Sequence, residues 1–412
     1  MSATEEKIRE KIEKEIDATD GVLNLLPCWV ARKYLLPGKR LKLDPRDMYI
    51  RGAEKGAISE RWMASTGPAD NGADTAENEG LSEIVLRNGE RLLFRDAVEH
   101  AGELIIGVEE MKKFGGLLSF AKLYDFRTPI GHHVHLMEKD CAWLNIQPKP
   151  EAYYFPKQLN TIDYGGAYTY FGIIPGTSRE TIKKCLRDWA KYGDNGILEV
   201  SQAYRLRVGT GWDVPAGILH APGSLVTYEP QRMSDTSLFW QSMVRDAYTE
   251  KEMAVRFLPP EKREDYDFIV DVLDWEANTD PNFKANHYRE PLAVNGDIEK
   301  DGYEEKWVTY GSNEFSAKEL RVLPGRTVTI RDAAAYGLLM MDGYGKLNGN
   351  LIETPAMLRY REQTADEMYV VKEAANKGVQ ITNGSQTHEL VMLKHFGPEN
   401  PDAEKFIKNN RK

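Results

Sequence analysis

Between residues 132 and 244 the chain is cut into short apolar runs, HHVHLM, CAWLNIQ, EAYYFP, YTYFGIIPG, ILEVSQAYRLRVGTGWDVP, LVTYEP and SLFWQSMV, with Pro and Gly between them. Runs rich in Val, Ile, Tyr, Phe and Trp and bounded by turn residues read as strands. The same character returns over residues 304–397 in WVTYG, AKELRVLPGRTVTIRD, GLLMMDGYGKLNG, MYVVKEA, VQITNGS and LVMLKHFG. Two such blocks in 412 residues exceed what one core holds, so the pattern predicts two β-barrel or sandwich units in an all-β dominated fold.

The rest divides around these blocks. Residues 1–34 form an N-terminal helical segment, since Ile8, Ile12 and Ile16 recur every four residues among Glu and Lys. The first block occupies 35–245. It contains an exposed loop at 66–80, then β-like runs over 81–129 that include LSEIVLRNGERLLF, LIIGVEEM and LLSFAKLYDF. A helical insert at about 177–193 interrupts it. There a capping box at Thr177–Glu180 precedes Ile182, Cys185, Leu186 and Trp189 at helical spacing, and Gly193 ends the run. Residues 246–303 change to charged sequence and read as a linker with a helical stretch, DYDFIVDVLDWEAN. Residues 398–412 read as a solvated tail.

A net charge of −10 without a basic cluster argues against nucleic acid or an anionic membrane as partner. No apolar run approaches the roughly 18 residues a membrane span needs. The charged N-terminus lacks a secretory signal, and the three scattered cysteines, Cys28, Cys141 and Cys185, suit a reducing cytoplasm.

The chemistry concentrates in GHHVHLME, residues 131–138. In a strand, residues two apart share a face, so His133 and His135 point together, about 7 Å apart, while His132 turns away. A second motif, Gly209-(x5)-Pro215-x-Gly217-(x2)-His220, sets another histidine just past a Pro/Gly-defined turn. Three imidazoles and a carboxylate make a usual set for Zn2+, Mn2+ or Fe2+. Glu138 is the nearest carboxylate in sequence, and Glu151 stands further on.

H-x-H followed by G-(x5)-P-x-G-(x2)-H resembles the two motifs of the cupin superfamily, antiparallel jelly-roll barrels with a metal inside. Lys149-Pro150-Glu151, the segment Glu229-Pro230-Gln231-Arg232-Met233-Ser234-Asp235, and Glu60-Arg61-Trp62-Met63-Ala64-Ser65 are similar, in order and spacing, to segments of type I mannose-6-phosphate isomerases. The match covers about residues 55–245. It implies two cupin domains, the second metal-free. It also implies one divalent ion, Zn2+ ahead of Mn2+ or Fe2+, held by His133, His135, Glu151 and His220, with Glu151 in place of Glu138. The implied reaction is a metal-dependent aldose–ketose isomerisation, with Lys149, Asp235 and Glu229 as catalytic candidates.

One position departs from the family. Phe239 stands where its members place a substrate-binding arginine, which points to a sugar or sugar derivative other than mannose 6-phosphate. Arg232 is a substitute from another direction, as is Arg245, and Phe239 and Tyr153 are further substrate contacts. The other aromatics, Tyr154, Tyr168, Tyr170 and Phe171, read as core or rim. His287, His388 and His395 read as structural. The expected partner is a small carbohydrate, with a homodimer left open. Two rival readings keep the same ligands: an Fe2+ dioxygenase, and a carbohydrate-binding protein without turnover.

Overall fold

The inward faces of two antiparallel sheets meet around the motif histidines in a computed structural model that describes residues 3–33, 35–161, 166–189, 193–245 and 247–404. One sheet has seven strands, in the order Tyr288–Arg289, Gly211–Val214, Glu151–Tyr154, Thr227–Arg232, Ser119–Tyr124, Ala57–Met63 and Cys28–Arg32. The other has five, Ser201–Arg205, Tyr168–Ile173, His220–Ala221, His133–Val134 and Leu238–Phe239. Strand alternation sorts the seven-stranded sheet into two faces. Glu151, Glu229, Lys122 and Glu60 point into the space between the sheets, where their ion pairs form. Tyr154, Tyr228, Ala121 and Leu123 point the other way, into a core shared with Ala317, Leu339, Val391 and Leu393.

Those last residues belong to a nine-stranded sheet built mainly from the C-terminal block. A four-stranded sheet accompanies it: Thr327–Ile330, Val379–Asn383, Tyr344–Leu347 and Asn350–Glu353. The nine-stranded sheet also recruits the N-terminal region. Strand Val22–Leu26 pairs with Glu367–Val370 and with Glu83–Val85, which pairs in turn with Arg91–Leu93. The chain therefore crosses between sheets at Pro27, and residues 1–34 hold helix Ala3–Thr19 followed by two strands.

Several sequence expectations change. The fold is mixed and strand-rich, with more helix than the expected all-β dominated pattern with helical segments. LIIGVEEM contributes to helices Phe94–Ile105 and Val108–Phe114. The second of these carries acidic residues in its first turn, lysines in its last, and a left-handed Gly115 as its stop. CAWLNIQ starts inside helix Glu138–Leu144, closed by Asn145 at φ 53°. The insert forms helix Arg179–Arg187, capped by the Ser178 hydroxyl accepting from Thr181 N at 3.2 Å. It ends at Arg187, before Gly193, and residues 190–192 lie outside the described residues.

Residues 247–303 are more than a linker. Leu258, Ile269, Val270, Val272 and Leu273 share a core with Ile182, Leu186 and Trp189 of the insert and with Val134, Leu219 and Trp240. This apolar layer covers the outer face of the five-stranded sheet. The start of the tail is also docked: Asp402 accepts from Ala333 N at 2.8 Å and Asn400 donates to the Ser316 hydroxyl. Residues 405–412 lie outside the described residues. Among the described residues, no helix is long and apolar enough to cross a membrane.

Candidate metal centre

His133, His135 and His220 are buried, and one ring nitrogen from each lies within 4.8 Å of the others. His133 and His220 are directly cross-strand partners, and their rings sit 4.1 Å apart. His135 continues from the same strand, its ring 5.1 Å from that of His133. Each Nδ1 faces a backbone carbonyl: His133 faces Gly131 O at 2.9 Å, His220 faces Ile218 O at 2.9 Å, and His135 faces Thr236 O at 2.7 Å. A carbonyl only accepts, so each Nδ1 carries a proton, and in a neutral ring Nε2 then keeps its lone pair. Burial and the neighbouring imidazoles hold His133 far below the usual histidine range. Burial, then the Lys149 charge, bring His135 to about 3.

Glu151 completes the group. Its carboxylate lies 3.0 Å from His220 Nε2 and 3.2 Å from His135 Nε2. His220 Nε2 makes no hydrogen bond. When the ring is neutral, with its proton on Nδ1, two lone-pair atoms face each other there in full burial. Such an arrangement is costly unless a cation lies between them. The donor set therefore fits a divalent ion bound by nitrogen and oxygen ligands. Glu138 does not share this place: it opens helix Glu138–Leu144 and its side chain is 74% exposed. His132 faces the opposite side, buried, with Nδ1 2.8 Å from Gln241 Oε1 and its ring against Tyr170.

Charges alternate across the seven-stranded sheet from this point. Lys149 is buried, with Nζ 2.5 Å from Glu151, 3.1 Å from His135 Nε2 and 3.6 Å from Glu229. Lys122 lies 3.0 Å from Glu229 on the other side. Burial and the Glu151 charge push Glu229 up to about 7 against the pull of Lys122 and Lys149. For Glu151 burial acts upward too, but Lys149 and His135 outweigh it and hold the carboxyl well below its usual range. The Tyr153 hydroxyl donates to Glu151, and burial together with that carboxylate raises it well above the usual phenol.

The structure separates the remaining candidates. Phe239 lies with its ring 5.2 Å from His133, on the wall of a cavity of about 200 Å3 that Arg32, Asp70, Asp235, Ser237 and Arg256 also line. Asp235 accepts both its ion-pair hydrogen bonds from Arg32 Nη2, at 3.0 Å each. Arg232 is engaged elsewhere, with Glu314 at 2.8 Å and Gln147 at 3.2 Å. Arg245 sits in the left-handed region at φ 60° and does not line this cavity. Sequence reasoning missed Lys122 and Arg32. The usable signal for Lys122 was a lysine alternating with Phe120 and Tyr124 on one strand face. Arg32 gave none, because its partners Glu60 and Asp235 are remote in sequence.

Among the described residues, His133, His135 and His220 form a buried group that could hold a metal ion, set between sheets of a strand-rich fold. The chain has the fold of phosphomannose isomerases. It aligns with mannose 6-phosphate isomerase from Bacillus subtilis at TM-score 0.58 and 14% identity, covering 91% of this chain and 99% of that one. It aligns with a single-residue mutant of phosphomannose isomerase from Salmonella typhimurium at TM-score 0.58 and 13% identity, covering 92% and 100%. At these identities the likeness is one of fold. The sequence matches no protein-family profile and no curated protein.

Proposed function

We propose that the protein is a metal-dependent aldose–ketose isomerase acting on a small sugar or sugar derivative, with its two strand-rich halves read as cupin domains. The observation that carries this reading is the face-to-face pair of acceptors, His220 Nε2 and Glu151, beside two buried imidazoles and a buried lysine–glutamate pair. His133, His135, Glu151 and His220 would hold a divalent ion, Zn2+ before Mn2+ or Fe2+. The chemistry such an ion supplies when bound is electrophilic stabilisation of negative charge on substrate oxygen.

The chain's own groups supply the rest. An aldose–ketose interconversion moves one proton between C1 and C2 and one between their oxygens. Glu229 is the carboxylate suited to hold the carbon-bound proton, since a base works best with a pKa near the working pH. Lys149 is held by Glu151 on one side and Glu229 on the other, so its ammonium is oriented to donate to a substrate oxygen. Phe239 offers an apolar face to the C–H side of a sugar ring. The five-stranded sheet and its covering helices exclude water behind the histidines.

Incubation of the metal-loaded protein with a panel of aldoses, ketoses and their 6-phosphates, followed by NMR, should show one pair interconverting. Phe239 in the arginine's place favours a second reading, a carbohydrate-binding protein without turnover. Sugar binding with no conversion across the whole panel would establish that reading instead.

A further inference from the structure

The three histidines are not held in the same way. His133 and His220 each donate from Nδ1 to the carbonyl two residues earlier, so their own strands set the ring orientation. His135 donates to Thr236 O, 101 residues away, in a segment between strands Thr227–Arg232 and Leu238–Phe239. Its orientation depends on whatever fixes that segment.

Asp235 supplies the fixing. Its carboxylate accepts twice from Arg32 Nη2 at 3.0 Å and once from the backbone N of Asp70 at 2.7 Å. Arg32 is itself held by Glu60 at 2.9 and 3.1 Å and by Asn71 at 3.0 Å, and both Arg32 and Glu60 are buried. Gln231 Nε2 donates to Ser234 O at 2.6 Å and Arg256 Nε to Ser237 O at 3.2 Å on either side. The carbonyl that meets His135 thus follows directly on a residue held by charge-assisted hydrogen bonds from one guanidinium nitrogen.

We infer that Asp235, clamped by Arg32, is a positioning residue that holds the Thr236 carbonyl against His135 and so orients one metal ligand from across the fold. The inference rests on the metal centre of the proposed function but not on the reaction, because metal binding is measured without any sugar. It removes Asp235 from the proton-shuttle candidates and gives Arg32, on the first strand of the sheet, a part in metal affinity. Partners of this kind cost about 10–100-fold in metal affinity when removed.

The measurement is chelator competition for Zn2+ by wild type, Asp235→Asn and Arg32→Lys, with visible absorption of the Co2+-loaded proteins as a spectroscopic signature. Both variants should bind about 10–100-fold more weakly and shift the Co2+ bands, Arg32→Lys less than Asp235→Asn because it keeps the charge. Wild-type metal affinity and unchanged Co2+ bands in folded Asp235→Asn would overturn the inference, whatever happens to turnover. Should both variants fail to fold, nitrogen-15 NMR of the metal-free wild-type protein decides. His135 is expected in the Nδ1–H form, its proton in slow exchange with water. The Nε2–H form for His135 would overturn the inference.

Discussion

At the scale of single residues, the two carboxylates near the H-x-H motif have opposite surroundings, and that difference predicts opposite outcomes. Glu138→Ala should leave metal affinity unchanged, because its side chain is exposed. Glu151→Gln should weaken binding by more than about 100-fold, since even partners outside a ligand set cost about 10–100-fold; isothermal titration of the two variants checks both. Glu229→Gln separates chemistry from binding. It should keep the metal and lose about 100- to 10,000-fold in turnover, the range general-base removal spans. The histidines were legible because strand alternation and a Pro/Gly-framed turn are local signals. Lys149 could be placed only through the resemblance, and its burial between Glu151 and Glu229 needed two strands distant in sequence to meet.

At the scale of elements, strands were readable and short helices were not. Helix Glu138–Leu144 has two turns, too few for apolar periodicity to register, and its run CAWL resembles strand sequence. Residues 247–303 carry their apolar side chains in clusters spread over several brief helices, so polarity dominated the reading. The C-terminal sheet holds a buried quartet in which Lys318 and Lys394 each pair with both Glu305 and Asp332. Lys394→Met leaves two carboxylates with one cation and should cost about 3–5 kcal/mol, read from urea unfolding.

Next to Lys394 of the quartet, burial holds His395 at about 3, and its Nδ1 is hydrogen-bonded with the Tyr228 hydroxyl at 3.1 Å. The unfolded chain takes up a proton near pH 6.5 that the fold refuses, so this contribution is complete above about 6.5 and is lost as pH falls toward 3. Wild type should therefore lose up to about 1.4 kcal/mol per pH unit more than His395→Asn below pH 6. Equal slopes in urea titrations at pH 7, 6 and 5 would contradict this.

At the scale of the whole molecule, the two halves are stitched rather than strung. Val22–Leu26 joins the C-terminal sheet, Cys28–Arg32 joins the seven-stranded sheet that carries Glu151, and Arg61 reaches across to Asp366 at 2.7 Å and Glu367 at 2.9 Å, all three buried. Two β-rich blocks were visible in the sequence. Their interleaving was not, because pairing between residues some 340 positions apart leaves no local trace. Arg61→Met strands two carboxylates in the seam and should cost about 3–5 kcal/mol in calorimetry.

Deuterium NMR in D2O puts the proposed isomerisation to the test. Metal-loaded protein, given the sugar it converts, should place deuterium at C1 or C2, while Glu229→Gln with metal bound should do so about 100- to 10,000-fold more slowly. Conversion without solvent deuterium in the product would contradict proton transfer through a carboxylate that exchanges with solvent during turnover. Absence of both exchange and conversion with every sugar offered would contradict the isomerase itself.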